Sequence, residues 1–303
     1  MTPNDHDNIR SSQSPLSVGR LAQIACLLEV TARKPGNVHR FADFADLHYL
    51  DFLLSATALV QPLDEVRQRG VGPAVLAAVK ATRQVVTTNT NLGMILLLAP
   101  LAAVPEEISL ADGIEPILAA TTIDDARAVY QAIRLAAPGG LGRVKHQDVA
   151  REPAVTLREA MALAADRDLV ARQYANGFQQ VLHEALPALQ GSLRDDPRLE
   201  TAVVAASLQM LARHHDSLIV RKAGRAAAEV VRHKAGQIVE AGWPATPRSL
   251  RLCREFDTRL RSQASLLNPG TTADLITAAL FAALRDGTIQ LPRRPGSASW
   301  SGP

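Results

Sequence analysis

Apolar residues in this chain recur near a helical spacing of three to four positions, and no convincing strand alternation survives outside 288–291. That period restricts the fold more than any other feature of the sequence. Leu21, Ile24, Leu28 and Val30 lie near that spacing in one segment, and Phe52, Leu53, Ala56 and Leu59 share one face of another. A period of 3.6 puts side chains on one stripe of a helix, whereas a half-buried strand needs alternation. Rings cannot build the core, because aromatics are only 4% of a chain that is 47% hydrophobic. Ala, Leu, Val and Ile must supply it, and runs of β-branched residues are scarce. The expected class is all-α: one multi-helical domain of about ten helices, in a chain of 303 residues that is long enough to bury a core.

Local signals place the helices. The pattern opens over 16–31, breaks at the Pro35-Gly36 turn in a loop over 34–47, and resumes over 49–59. Pro73 suits a first helical position, and Gly139 suits a stop after a helix over 124–137. Thr156 and Glu159 form a capping box. A long helix is expected over 166–189, another from Asp196-Pro197 towards His215, one over 221–241 ending at Gly242, one from Thr246-Pro247, and one over 272–285 ending at Gly287. Only 288–291 hints at a strand. Residues 1–15 and 292–303 read as flexible tails, 139–154 as a long loop, and 16–291 as the domain, with no internal repeat or linker.

Charge and cysteine content exclude several functions. A net charge of +3, with no Lys/Arg run, does not make a nucleic-acid groove. The longest apolar stretch, 93–104, contains Pro100 and falls short of the roughly 20 residues a spanning helix needs, so no membrane partner is expected. Cys26 and Cys253 make no disulfide framework, the N-terminus lacks a hydrophobic signal core, and a reducing, cytoplasmic location follows.

Four polar junctions interrupt the helical pattern. Lys34-Pro-Gly-Asn-Val-His39, followed by Asp43 and Asp46, could offer donors to phosphate or be a surface loop. Thr87-Thr-Asn-Thr-Asn-Leu-Gly93 precedes an apolar helix, which its Asn and Thr residues could cap or equip to bind a ligand. His214-His-Asp-Ser217 is followed by Arg221, Lys222 and Gly224, and Asn268-Pro-Gly-Thr-Thr-Ala-Asp274 opens the last helix. Each alone reads as a surface loop or a cap. Together they hold the Asp, Asn, Lys and Arg that a triphosphate-plus-metal pocket between helices needs, since magnesium takes one or two carboxylates plus phosphate oxygens.

At these same places the chain resembles the triphosphoribosyl-dephospho-CoA synthases. The resemblance rests on Lys34–Phe41 (KPGNVHRF), Asp46 with Phe52 and Ser55-Ala56, Asn89-Thr90-Asn91-Leu92-Gly93, Asp216 with Arg221, Lys222 and Gly224, and Pro269–Leu275 (PGTTADL). It departs from the family at His39, where an Asp is usual, and at Asn91-Leu92, which replace His-Lys. It departs again at Arg221-Lys222, which replace His-Arg, and in the middle segment around 165–174. The pattern is that of a divergent branch, of the kind accompanying tetrahydromethanopterin-linked one-carbon metabolism.

The resemblance implies an all-helical pentosyltransferase that moves a 5-triphosphoribosyl group from ATP to the 2′-hydroxyl of dephospho-CoA, or of a related nucleotide or pterin-pathway acceptor, with release of adenine. It implies Lys34, Arg221 and Lys222 on phosphates, with Gly36 and His39 also at the substrate. Asn37, Asn89 and Asn91 would hydrogen-bond ribose or base. Asp46, Asp216 and Asp274 would be the catalytic set, binding Mg2+ with ATP, one of them serving as general base. Partners are small-molecule nucleotides, and a homodimer is compatible with the pattern. Two other readings stay open. One is a metal-dependent phosphohydrolase built on His215-Asp216 with His183 or His39 and Asp274; the other is a non-catalytic nucleotide-binding helical protein.

Overall fold

The computed structural model describes residues 16–136 and 151–291. The expected tails, and residues 139–150 of the expected long loop, lie outside the described residues. Within them the chain is 71% helical. The first helices are α1 (Val18–Thr31), α2 (Tyr49–Thr57), α3 (Val60–Asp64), α4 (Val66–Arg69) and α5 (Val71–Val85). Next come α6 (Leu92–Ala103), α7 (Leu110–Ala119), α8 (Ile123–Ala136), α9 (Leu157–Ala162) and α10 (Leu169–Asn176). A π-helical turn, Val181–Ala185, leads into α11 (Leu186–Asp195) and α12 (Leu199–Arg213). The chain ends with α13 (Ser217–Ala223), α14 (Arg225–Glu240), α15 (Pro247–Arg261) and α16 (Gly270–Arg285). The all-α expectation stands, with thirteen of the sixteen helices seven residues or longer rather than about ten.

The excess over ten comes from backbone breaks that periodicity does not register. The helix expected over 166–189 starts at Leu169, because the Asp168 side chain caps it by accepting from Val170 N (2.8 Å) and Ala171 N (3.1 Å). It stops at Gly177, whose φ of 68° is followed by 61° at Phe178, outside any right-handed helix. The helix expected over 221–241 is split in the same way by Gly224, with φ 85°. The expected strand over 288–291 is absent; Ile289 N instead bonds back to Ala283 O at the end of α16. The short extended segment is Ser262–Ser265, between α15 and α16.

Two helices form the centre. Every residue of α6 except Gly93 is buried, as suits a helix that is apolar all round. Pro100 sits inside it and cannot donate to Leu96 O four residues earlier. The Tyr174 hydroxyl of α10 takes that carbonyl at 2.6 Å, so the proline's missing hydrogen bond becomes a tie between helices. In α16, every residue but Gly270, Asp274 and Arg285 is buried. The main core gathers around these two with α1, α5, α8 and α10, while α12 to α15 enclose a smaller cluster around Leu208, Ile219, Val231 and Phe256. Among the described residues no helix is long and apolar enough to cross a membrane.

Candidate active site

The four polar junctions meet at one cleft of about 840 Å³. Its wall takes Asn37 and Asp46 from the loop after α1, Thr87 to Gly93 from the approach to α6, Ser217, Arg221 and Lys222 from α13, and Asn268 to Asp274 at the head of α16. An apolar bank faces them, with Tyr130 and Ile133 of α8 and Leu157 and Met161 of α9. The junctions lie more than 40 residues apart in sequence. They converge because α6, α13 and α16 all begin here. A Cβ on Gly93 would sit 2.0 Å from Asp274 Oδ2, and one on Gly270 would sit 2.6 Å from Leu218 Cδ2, so both helix starts press against their neighbours.

The three aspartates turn out to occupy three different environments. Asp274 lines the cleft on an otherwise buried helix and accepts no hydrogen bond from any described residue. Burial, with Glu29, Asp216 and Asp168 nearby, holds its carboxyl well above the usual carboxylate range; Arg221 opposes this. Asp216 is 1% exposed and stays off the cleft wall. Its Oδ1 accepts from Leu218 N (2.9 Å) and Ile219 N (3.1 Å), and its Oδ2 from Thr272 N (2.7 Å) and Thr272 Oγ1 (2.8 Å). It staples the start of α13 to the start of α16, and its lone pairs are spent on that task. Asp46 is exposed at the rim, where Oδ2 accepts from Ser265 Oγ at 2.8 Å. Among the described residues no three His, Cys, Asp or Glu side chains converge as a metal site, so the expected aspartate triad does not assemble.

The loop after α1 is held from within. Lys34 is fully buried and off the cleft wall. Its Nζ pairs with Glu29 Oε1 at 2.9 Å and donates to Glu29 O and to Ala32 O (3.3 Å). All three protons are used, so the expected phosphate contact has no donor left to make it. Gly36, with φ 76°, turns the chain and donates to Asp257 Oδ1 at 2.8 Å. His39, expected at the substrate, is buried behind the wall, and its Nδ1 accepts from Phe41 N at 3.2 Å. Burial and then the Arg261 and Lys34 cations lower it to about 4, which keeps it neutral. Glu200 ties the loop to α12 through Arg33 and Arg40. Only Asn37 and Asp46 of the expected set reach the cleft from this loop.

The remaining expected residues do face it. Asn89 Oδ1 accepts from Leu92 N at 3.3 Å, and Asn91 Nδ2 donates to Thr82 Oγ1 at 3.1 Å, so both hold the α6 start while lining the wall. Arg221 Nη1 lies 3.8 Å from Asp168 Oδ2, and Lys222 Nζ donates to Ser265 O at 3.3 Å. Asn37 Oδ1, Thr88 Oγ1 and Arg221 Nε are buried without a hydrogen-bond partner, all on cleft residues. Such atoms cost stability unless something satisfies them.

The sequence reading missed Glu29, Arg83, Arg167 and Asp168, which also line the cleft. Glu29 had a signal: a carboxylate on the core stripe of α1, between Cys26 and Val30. The hydrolase doublet does not form a site. His215 Nε2 bonds Glu229 Oε2 at 2.6 Å, whereas Asp216 turns inward, and His183 is exposed.

The model of the CitG family, ATP:dephospho-CoA triphosphoribosyl transferase, matches residues 15–292. A relative from Pseudomonas syringae pv. tomato is 28% identical over 109 residues, covering 36% of this chain and 37% of its own. One from Pseudomonas paraeruginosa is 30% identical over 105 residues, 35% of each. Both are named provisionally as 2-(5''-triphosphoribosyl)-3'-dephosphocoenzyme-A synthases, and the match spans little more than a third of their length. A crystal structure from Archaeoglobus fulgidus, provisionally titled a triphosphoribosyl-dephospho-CoA synthase, superposes with a TM-score of 0.60 at 27% identity. It covers 78% of this chain and 99% of that one.

Proposed function

Because the chain belongs to the ATP:dephospho-CoA triphosphoribosyl transferase family over residues 15–292, we propose that it transfers a 5-triphosphoribosyl group from ATP to the 2′-hydroxyl of dephospho-CoA and releases adenine. One observation carries the reading. Asp274, which accepts no hydrogen bond from a described residue, faces a nucleotide-sized cleft that is also lined by Arg83, Arg167, Arg221 and Lys222. Those cations hold the triphosphate, and the asparagines meet ribose and base. The bond from C1′ to adenine N9 breaks with its electron pair on the base, and the acceptor 2′-oxygen bonds to C1′. The hydroxyl proton passes to Asp274, while adenine takes one from water. A carboxylate of raised proton affinity is the stronger base once ionised.

Bound with ATP, magnesium would offset the triphosphate's negative charge. Asp46 would fit it, since Ser265 Oγ bonds one of its oxygens and the other accepts from no described residue at the rim. The enzyme works in a reducing, cytoplasmic setting, where Cys26 and Cys253 stay free thiols. The deciding experiment incubates the protein with ATP, magnesium and dephospho-CoA and measures free adenine by chromatography. Adenine equal to the product formed is the expected result. No adenine with dephospho-CoA, but release with another nucleotide or a pterin, reassigns the acceptor; none with any of them refutes the reading.

A further inference from the structure

We propose that Glu29 is a catalytic residue, the fixed anion that stabilises positive charge at the ribose C1′, and that Lys34 is the positioning residue that holds it. This deepens the transferase reading and rests on it. When C1′ loses adenine its ring becomes cationic, and a preorganised negative charge beside it lowers the barrier. Glu29 lies on the cleft wall at 2% exposure, on α1 opposite the head of α16. A carboxylate buried this deeply loses its charge unless a cation answers it. Lys34 answers it at 2.9 Å, and the other two Lys34 protons are fixed on the Glu29 and Ala32 carbonyls, so the ammonium cannot turn elsewhere. Glu29 Oε2 accepts no hydrogen bond from a described residue.

A buried ion pair is a poor source of stability compared with apolar packing. Placing one against a substrate cleft therefore calls for a chemical use. The contrast with Asp274 gives each carboxylate a role. Burial pushes both carboxyls up, but Lys34 at 2.9 Å opposes this at Glu29, whereas no described residue bonds Asp274, which suits Glu29 to the fixed charge and Asp274 to the proton.

The test compares wild type, Glu29→Gln, Glu29→Asp and the double variant Glu29→Gln with Lys34→Met. Gln keeps the shape and still accepts from Lys34, but it carries no charge. The first readout is kcat and KM for adenine release. Glu29→Gln should lose about 10²- to 10³-fold in kcat with KM for ATP changed by less than about threefold, and adding Lys34→Met should cost no further kcat. A residue needed only for folding would instead lower the melting temperature and leave the kcat of the folded fraction intact. The second readout is calorimetric binding of the protonated pyrrolidine analogue of ribose against its uncharged anhydro counterpart. Wild type should prefer the cation by about tenfold or more, a difference of about 1.4 kcal/mol. The preference should survive in Glu29→Asp and vanish in Glu29→Gln.

A Glu29→Gln enzyme with near-normal kcat, or an unchanged preference for the cation, overturns the proposal. If Glu29→Gln does not fold, loss of the preference in Glu29→Asp overturns it and retention supports it. If wild type releases no adenine from ATP and dephospho-CoA, the acceptor reading fails, and the cation preference still decides the role of Glu29.

Discussion

Gly93→Ala should separate the site from the fold. The added Cβ would stand 2.0 Å from Asp274 Oδ2, 2.5 Å from its Cγ and 3.0 Å from its Oδ1, and no other atom is that close. Carbon and oxygen settle at roughly 3.5 Å, so one partner must move by more than about 1 Å. The backbones of α6 and α16 are buried in the centre of the core and cannot give way. The Asp274 side chain can, by leaving its rotamer. Overpacking costs about 1–3 kcal/mol, and replacing glycine by alanine in a helix returns up to about 1 kcal/mol. The net loss should stay within about 3 kcal/mol, a melting shift of several degrees in a chain of this size.

Activity should suffer far more. A catalytic group displaced by about 1 Å can cost about 100-fold in turnover. Gly113→Ala is the control, because its Cβ would meet Val104 Cγ1 at 2.3 Å, a similar overlap away from the cleft. It should lose comparable stability and keep its turnover. Thermal melts and adenine release, measured on both variants, give the comparison. Gly93→Ala with turnover within about threefold of wild type, while folded, would refute the placement of the reacting group at Asp274.

Asp274→Asn should abolish turnover and raise the melting temperature at neutral pH. The folded-state carboxyl is raised, so its contribution to stability is full below the unfolded value near 3.8 and is lost as pH rises towards the folded one; Asn removes that loss. The same raised value predicts that wild-type turnover climbs with pH as Asp274 ionises, and a flat profile over that limb would count against its role as base. Asp216→Asn should act on stability instead. An amide offers one acceptor oxygen where four donors point at a carboxylate, and a loss of about 1–3 kcal/mol or more is expected in denaturant melts. Arg221→Ala should weaken ATP by about ten- to a hundredfold in titration calorimetry while leaving adenosine affinity near wild type; equal loss for both would remove Arg221 from the phosphates.

How the fold and the site divide between sequence and structure follows from what each signal measures. The sequence alone determined the helical class, because a 3.6 period of Ala, Leu, Val and Ile is a local property that survives any tertiary arrangement. It also located four polar junctions, since capping residues and Pro-Gly turns are read within a few positions. Helix boundaries at Gly177 and Gly224 escaped it, because a positive φ is allowed by glycine but imposed by neighbouring packing. Which junction residues face the cleft escaped it for a deeper reason. Lys34, His39 and Asp216 have the composition of a site and the geometry of a scaffold: each is turned inward by a partner 2 to 56 residues away, in contacts that no spacing records. Glu29, conversely, sits on an apolar stripe and reads as core until α16 is seen to bring Asp274 to the same cleft. Residue type states what a side chain can do, and only the packing of α1, α6, α13 and α16 against one another decides which of them is left free to do it.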